Sequence, residues 1–276
     1  MEKRPYIVCC ICKNESQYIE EFIEYHLELG FDKIVIGDNN DPDGERYDEQ
    51  LKDYIDYGEV EIVNLRGMIA QQMPFYNNII HNYDYEWCAF IDCDEFITFA
   101  EGSKYDNIKD FLDSNSSIKA YALNWMVYGD NERVYKGVGD VVDRFKKPMP
   151  LDFHFHYKIP ENYHIKSILH KEAQGDFIRC PHNLDNYHDY HSPDGKLIKT
   201  SPFNSAMDFS VVYIRHYYTK SLEEWVNKKM KNKHADCKPS DKITYYPIDD
   251  FFIYNKVTEA KLKYLKKNGI EFTKKL

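Results

Sequence analysis

Glycine is scarce in this chain, with 12 among 276 residues, and no glycine-rich loop follows the first predicted strand. Folds that hold a phosphate on such a loop place it between the first strand and the first helix, where the backbone can approach the anion. Here that turn is Lys13-Asn14-Glu15. The absence disfavours a nucleotidyltransferase or a phosphohydrolase that depends on a phosphate loop.

Long hydrophobic runs are also lacking. No stretch approaches the ~20 apolar residues that a membrane-spanning helix needs. The residues after Met1 lead into a run too short for the core of a signal peptide. We therefore expect a cytoplasmic protein. Peripheral attachment of the basic, aromatic C-terminal part to the inner face of a membrane stays open as an alternative.

Positive charge is in deficit. Lys and Arg number 36 against 46 Asp and Glu, which gives a net charge of -10. This balance argues against nucleic acid as the main partner. The lysines are concentrated in the C-terminal third, at Lys228, Lys229, Lys231 and Lys233 among others.

The seven cysteines do not have the number or the spacing of a disulfide framework. Cys9, Cys10 and Cys12 crowd one short apolar run, a pattern that predicts buried, reduced thiols. The same apolar surroundings disfavour a metal site at these three residues.

The most informative motif that is present is Asp92-Cys93-Asp94-Glu95-Phe96. It follows the mostly apolar run 87–91, which predicts a buried central strand. Side chains two apart on an extended chain point the same way, so both Asp carboxylates are expected to lie together at a sheet edge. Mg²⁺ and Mn²⁺ bind such oxygens, usually with one or two carboxylates plus substrate phosphates. A solvated acidic turn is the alternative, but ligands in α/β sheets bind at the carboxyl ends of central strands.

Strands and helices alternate over the first ~95 residues, which predicts a mainly parallel, Rossmann-like α/β sheet flanked by helices. The predicted strands are 6–11, 33–36, 60–63 and 87–91, and the predicted helices are 18–29, 45–57 and 69–83. A further strand is expected at 119–125 and closing helices at 221–233 and 257–268, with short antiparallel strands and irregular structure over 130–208. The chain has neither repeats nor a low-complexity linker, so we expect one domain, 1–276.

Several histidines fall in the irregular region. His154 and His156 alternate on a predicted strand, and His188 and His191 are three residues apart. A structural zinc site is one interpretation, but paired cysteines at zinc-finger spacing are absent. We favour histidines of loops that contact an acceptor.

Ten short stretches together suggest a family by their order and spacing. They are Lys13-Asn14-Glu15, Glu24-Tyr25-His26, Leu29-Gly30, Asp38-Asn39, 91–96, 125–129, Asp143-Arg144-Phe145, Lys166-Ser167-Ile168, 215–218 and 220–225. In this order they resemble glycosyltransferase family 92 and its family 2-like bacterial relatives, over roughly residues 6 to 232.

The resemblance implies a GT-A fold, with a nucleotide-sugar-binding half over 1–100 and an acceptor-binding half with closing helices over 101–276. It also implies a UDP-sugar donor, a Mn²⁺ or Mg²⁺ ion, a glycan or glycolipid acceptor, and inversion at the anomeric carbon. Galactose or a similar hexose is the expected sugar. Because no membrane anchor is evident, synthesis of a bacterial surface polysaccharide is the expected setting.

The family also implies roles for single residues. Asp94 is expected to ligate the metal directly, Asp92 to bind ribose or a metal-bound water, and His216 to supply a further ligand. Glu95 is expected to ligate, to orient its neighbours or to cap a helix. The remaining contacts to the nucleotide or its diphosphate are expected from Asn14, Glu15, Asp38, Arg66, Gln72, Lys220 and Lys228. For Asn14 and Asp38, turn chemistry is an equal alternative.

Inverting transfer needs a general base beside the acceptor hydroxyl. Asp130 is the first candidate, because the loop after 125–129 is expected to line the acceptor side. Relatives often carry a small hydroxyl residue there, so Asp130 departs from their pattern. Glu132 and Asp143 are the alternates, and Trp125 or Tyr128 can stack on a sugar ring. A non-catalytic carbohydrate-binding protein on the same scaffold and a metal-dependent nucleotidyltransferase are the alternative functions.

Overall fold

The computed structural model describes residues 3–154, 159–173, 175, 178–185, 187–198, 202–231 and 246–272. Its first part follows the predicted alternation. The elements are β1 (Tyr6–Cys12), α1 (Ile19–Glu28), β2 (Lys33–Asp38), α2 (Tyr47–Gln50), α3 (Lys52–Tyr57), β3 (Val60–Asn64), α4 (Gln72–Asn82) and β4 (Trp87–Phe90).

Two helix predictions in this part need correction. The helix expected over 45–57 is two short helices, because the chain leaves helical geometry at Leu51. The helix expected from residue 69 begins at Gln72, so that Pro74 lies in its first turn. An N–H in that turn has no intrahelical acceptor, and a proline there costs little.

The second part is less regular. Its elements are β5 (Glu95–Phe99), α5 (Ile108–Leu112), β6 (Ala120–Val127), α6 (Val141–Arg144), β7 (Ile165–His170), β8 (Ile178–Cys180), β9 (Asn183–Leu184), β10 (Val212–His216), α7 (Leu222–Asn227), α8 (Ile248–Tyr254) and α9 (Glu259–Lys267). The predicted strand at 119–125 and the last helix are confirmed. The helix expected over 221–233 ends at Asn227, and residues 232–233 lie outside the described part.

Eight strands form one sheet in the order β3-β2-β1-β4-β7-β6-β10-β5. The pairs β3/β2, β2/β1, β1/β4 and β6/β10 are parallel, whereas β7 is antiparallel to both neighbours and β5 to β10. The mainly parallel α/β sheet is therefore confirmed. The short antiparallel strands expected over 130–208 include β7, which is antiparallel to both its neighbours and lies buried inside the main sheet.

The sheet curls where the acidic motif crosses it. β4 and β5 are adjacent in the chain but four positions apart in the sheet. From Phe90 to Glu95 the chain can reach at most about 17 Å, whereas four strand spacings of a flat sheet span about 19 Å. The curl brings β10, the partner of β5, close to the end of β4.

Both faces of the sheet are covered. On β1, Tyr6, Val8 and Cys10 pack in the core that contains α1, whereas Ile7 and Cys9 face the core of α4. This explains why β1 is apolar without alternation. A third apolar cluster joins the helices α7, α8 and α9.

The predicted reduced, buried thiols at Cys9, Cys10 and Cys12 are confirmed, since all three are free and buried. In the part of the chain that the structure describes, no helix has the length and apolar character to cross a membrane.

Candidate functional site

A cleft of about 290 Å³ opens at the carboxyl ends of β1, β4, β6 and β10. This is the edge where open α/β sheets bind ligands. Three carboxylates and three ammonium groups line it together with aromatic rings. The lining residues are Ile11, Lys13, Glu15, Gln72, Asp92, Cys93, Asp94, Trp125, His216, Tyr218, Lys228, Lys229 and Tyr246.

Asp92 is held on both carboxylate oxygens. Gln72 Nε2 donates to its Oδ1 at 2.9 Å, and Lys166 Nζ donates to its Oδ2 at 2.7 Å. The Asp92 backbone N–H donates to Glu95 Oε2 at 2.7 Å. The side chain is still 34% exposed, so it can reach a ligand in the cleft by a further contact.

Lys166 and Glu95 are buried residues that contact Asp92 and hold it in place. The Lys166 side chain, on β7, is 1% exposed, and its ammonium lies 3.4 Å from Glu95 Oε2. Glu95 is fully buried, and burial raises the pKa of its carboxyl group. Of the roles expected for Glu95, these contacts support the orientation of a neighbour.

Asp94 and His216 face each other. His216 Nε2 lies 3.7 Å from Asp94 Oδ1, too far for a direct hydrogen bond. The other ring nitrogen, Nδ1, is buried and has no hydrogen-bond partner among the described residues. The pairing of His216 with Glu95 across β10 and β5, and the Tyr217 N–H bond to Asp94 O at 2.9 Å, fix this approach.

The protonation states of this pair suit a cation ligand. Burial lowers the pKa of His216 to about 3, so the imidazole is neutral at physiological pH. Burial opposes the charge of Asp94, but the positive charge of Lys220, with smaller contributions from other nearby basic groups, outweighs it and holds the Asp94 pKa below its usual range. A neutral imidazole and an ionised carboxylate are the metal-binding forms of these side chains.

The lysines of the site differ in their partners. Lys228 pairs with Glu15, Lys13 Nζ lies 2.8 Å from Asp41 Oδ1, and Lys220 Nζ lies 3.9 Å from Asp94 Oδ2. Lys220 adopts a positive φ of 52° and places its ammonium 4.6 Å from the centre of the Tyr18 ring. It therefore lies beside Asp94, behind the main cleft.

Asn14 and Glu15 lie where the sequence predicts, at the end of β1. Asn14 has a positive φ of 54°, which asparagine tolerates better than most residues, and its N–H donates to Asn40 Oδ1. Glu15 lines the cleft, and its Oε2 is buried without a hydrogen-bond partner in the described residues.

Asp38 and Arg66 bind each other. Asp38 Oδ2 accepts from Arg66 Nη1 at 2.8 Å, and its Oδ1 accepts from the N–H and the side chain of Asn40. The Arg66 guanidinium also donates to carbonyls of Asp41 and Glu45. These contacts hold the loop after β2 together, as the turn-chemistry alternative for Asp38 predicts.

None of the three general-base candidates is among the residues that line the cleft. Asp130 is 3% exposed and forms a buried ion pair with Lys261. Glu132 and Asp143 are largely exposed and lie near Lys256 and Lys146, respectively. Their catalytic roles stay predictions.

The histidines of the middle region do not assemble. His154 is exposed and lies outside any strand, His156 lies outside the described residues, and His188 is exposed. Within the described ranges, no three His, Cys, Asp or Glu side chains converge as a metal site would require. Two histidines do pack against Trp125: the centre of its ring lies 4.3 Å from that of His216 and 4.8 Å from that of His164.

Lys166 and Lys229 are functional candidates to which sequence reasoning gave no role. Lys166 stands between Ile165 and, two residues on, Ile168 and Leu169, and a lysine with such apolar neighbours can be buried only if it has a partner. Lys229 stands in a basic, aromatic segment with Trp225 and Lys228, a composition that surface segments share.

The cleft, with carboxylates and lysines at the carboxyl ends of parallel strands, defines an α/β protein with a charged cleft at the sheet edge where such folds bind ligands. The chain belongs to glycosyltransferase family 92, whose family model matches residues 4–251. The resemblance noted in the sequence and the GT-A fold class are thereby confirmed.

Curated relatives have the same family name. A glycosyltransferase family 92 protein of Ricinus communis is 23% identical over 217 residues, which cover 76% of this chain and 34% of that protein. One of Oryza sativa subsp. japonica is 30% identical over 95 residues, covering 33% of this chain and 16% of that protein. The matches thus span about a third or less of each relative's length.

Similar solved structures share low identity. Residues 1–349 of S. aureus TarS give a TM-score of 0.37 at 13% identity, covering 60% of this chain and 47% of that chain. HddC from Yersinia pseudotuberculosis gives 0.37 at 12% identity, covering 80% and 97%. The mannosyltransferase PcManGT from Pyrobaculum calidifontis, in complex with GDP-Man and Mn²⁺, gives 0.31 at 12% identity, covering 44% and 36%.

Proposed function

We propose that this chain transfers a hexose, galactose or a similar sugar, from a UDP-sugar to a glycan or glycolipid acceptor, with inversion and with Mn²⁺ or Mg²⁺. The observation that carries the proposal is the pair of Asp94 and His216, which face each other at 3.7 Å in the cleft. Family membership supports the reaction class. A cytoplasmic enzyme of bacterial surface polysaccharide synthesis is the setting we propose.

The side chains present fit a divalent cation. Asp94 offers an ionised oxygen and His216 a neutral nitrogen, and neither nitrogen of His216 has a hydrogen bond within the described residues. Mg²⁺ and Mn²⁺ sites often have few protein ligands and take the rest from substrate phosphates and water. Asp92, already held by Gln72 and Lys166, would contact ribose or a metal-bound water.

The chemistry divides between the cation and the chain. A bound cation supplies charge neutralisation for the leaving diphosphate. The chain holds the donor between the ends of β1 and β4, with Lys220 and Lys228 as further positive charges near Asp94. Asn14, Glu15, Asp38 and Arg66 stay the proposed contacts or supports of the nucleoside, and Asp130, Glu132 and Asp143 the proposed bases.

Calorimetric titration of UDP tests the donor site. We expect the wild type to bind UDP more tightly with Mn²⁺ than with EDTA, and Asp94→Asn to lose that difference, because the amide cannot supply the anionic ligand. Asp53→Asn, an exposed carboxylate on α3, is the matched control and should bind as the wild type does.

The outcomes separate the alternatives. Binding of GDP or CMP in place of UDP would keep the donor site and change its nucleotide. If no nucleotide binds, the transferase proposal fails and a carbohydrate-binding protein on the same scaffold becomes the better account. Where UDP binds, release of free sugar from UDP-sugars identifies the donor and distinguishes an enzyme from a non-catalytic protein.

A further inference from the structure

Among the residues that the structure describes, Lys229 is the cleft-lining lysine whose side chain has no acidic partner. Its Nζ makes neither an ion pair within 4.0 Å nor a hydrogen bond to any residue that the structure describes. Lys13 and Lys228, the other lysines of the lining, are paired with Asp41 and Glu15. Of these three lysines, Lys229 is therefore the one that is still available to bind an anion.

Aromatic rings fix the position of this ammonium. Lys229 Nζ lies 3.4 Å from the centre of the Tyr218 ring, 5.3 Å from that of Trp225 and 5.5 Å from that of Tyr246. The faces of such rings attract a cation, and three of them restrict a side chain that is otherwise flexible. Tyr218 and Tyr246 line the cleft with Lys229, so the rings hold the charge at its wall.

The isolation of Lys229 has an energetic consequence. An ammonium group withdrawn from water is costly unless an anion accompanies it. Burial lowers the pKa of Lys229 to about 7, and the nearby Asp94 only partly offsets this effect. An anionic ligand in the cleft would supply the missing partner.

We propose that Lys229 binds the diphosphate of the donor directly, with its amino group held in position by Tyr218, Trp225 and Tyr246 and charged when the phosphates are bound. This inference rests on the proposed function, since it assigns a phosphate contact within the same site. The rings orient the ammonium before the donor arrives, so little side-chain entropy is lost on binding. Lys220 and Lys228 are instead engaged with Asp94 and Glu15, and they act mainly by keeping the field of the site positive.

Lys229→Met tests the contact, because methionine keeps the length and the packing on the rings but removes the charge. We expect roughly ten- to hundredfold weaker UDP binding in the presence of Mn²⁺, the range for one hydrogen bond to a charged group. Uridine, which lacks the phosphates, should bind the variant and the wild type equally. Lys231→Met is the matched control, since Lys231 is exposed on the same segment and bonds to Asn227.

Each result bears on one claim. Equal UDP affinity of Lys229→Met and the wild type would overturn the phosphate contact and leave the donor site intact. An equal loss of uridine and UDP affinity would also overturn it, because the substitution would then have damaged the whole cleft. Lys229→Arg, which keeps the charge, should retain more UDP affinity than Lys229→Met. If the wild type binds no UDP, the proposed function fails and this inference with it.

Discussion

Asp130 is a buried carboxylate that forms an ion pair with a buried ammonium group. Removing one member of such a pair is costly, because the other is left buried and charged. Lys261, its partner on α9, has a side chain that is 0% exposed and also donates to the carbonyl of Lys256 at 2.7 Å. The Asp130 backbone N–H donates to Asn255 Oδ1 at 2.6 Å. Asp130 therefore ties the loop after β6 to the C-terminal helices.

Asp130→Asn should destabilise the protein by about 3 to 5 kcal/mol, because it leaves Lys261 charged, buried and unpaired. Asp130→Asn combined with Lys261→Met should recover much of that loss. Urea unfolding of the three proteins measures both effects. A folded double variant that has lost all sugar transfer, while it still binds UDP, would instead support Asp130 as the general base.

At the acidic motif, the apolar strand followed by polar side chains is a local pattern that predicts Asp92 and Asp94 at the sheet edge. It could not show that Gln72 and Lys166 occupy both oxygens of Asp92. Those partners come from segments about 20 and 74 positions away in the chain, and their approach depends on strand pairing that one sequence does not encode locally.

At the scale of elements, α1 contains a histidine whose two nitrogens are both used in the neutral form. His26 Nδ1 lies 2.8 Å from the carbonyl oxygen of Phe22, to which it donates, and Nε2 accepts the N–H of Ile97 on β5. Burial lowers the pKa of His26 to about 4. A second proton on Nε2 would face the Ile97 N–H, so protonation and the native packing of α1 on β5 oppose each other.

Acid should therefore weaken this contact. The unfolded chain gains a proton on His26 near pH 6.5, whereas the folded chain gains it only near pH 4. The contribution of neutral His26 to the free energy of unfolding is therefore complete above pH 6.5 and is lost as the pH falls to about 4. The loss amounts to about 3 kcal/mol. In urea unfolding at pH 7.0, 5.5 and 4.5, His26→Gln should be less stable than the wild type at pH 7.0 and lose less stability on acidification.

Other buried histidines contribute to the same acid dependence of the wild type, because burial also lowers the pKa of His182 and of His216 to about 3. The difference between the pH dependence of the stability of His26→Gln and that of the wild type isolates the contribution of His26. His188→Gln, at an exposed position, is the control. An identical pH slope for His26→Gln and the wild type would contradict the assignment.

The strand β7 marks the limit of strand prediction from the sequence. β7 contains Lys166, Ser167 and His170, all buried, so it lacks the alternation or the apolar run by which a strand is recognised. Its polar groups are paired with partners elsewhere, such as His170 with Glu86. The first four strands were predictable because they are locally apolar and separated by clear turns.

At the scale of the whole molecule, one buried ion pair joins segments from three parts of the chain. Glu224, in the capping box of α7, accepts from Arg144 Nη1 at 3.1 Å and from Arg144 Nη2 at 3.0 Å. Tyr18, which precedes α1, donates to the same carboxylate. The segment before α1 and the helices α6 and α7 are therefore held together beside Asp94 and Lys220, which share a small cavity with Tyr18 and Glu224.

Burial opposes the charge of Glu224, but its bonds to Arg144, Ser221 and Tyr18 prevail and lower its pKa to about 2. The stabilisation is therefore complete above about pH 4.5, the ordinary value for glutamate, and is lost as the pH falls toward 2. Glu224→Gln should cost about 3 to 5 kcal/mol at pH 7, since Arg144 is left buried with a neutral partner. The difference from the wild type should shrink below pH 4.5.

Denaturant unfolding of the wild type and Glu224→Gln at pH 7, 5 and 3.5 measures that difference. Glu172→Gln is the control, because Glu172 pairs with Lys119 at the surface, with 66% of its side chain exposed, and such exposed pairs add little to stability. If Arg144 and Glu224 also hold the wall behind Asp94 in place, Glu224→Gln should weaken Mn²⁺-dependent UDP binding while the protein is still folded. Unchanged affinity would mean that the pair stabilises the fold without shaping the donor site, and a constant difference in stability across the three pH values would contradict the ionised state of Glu224.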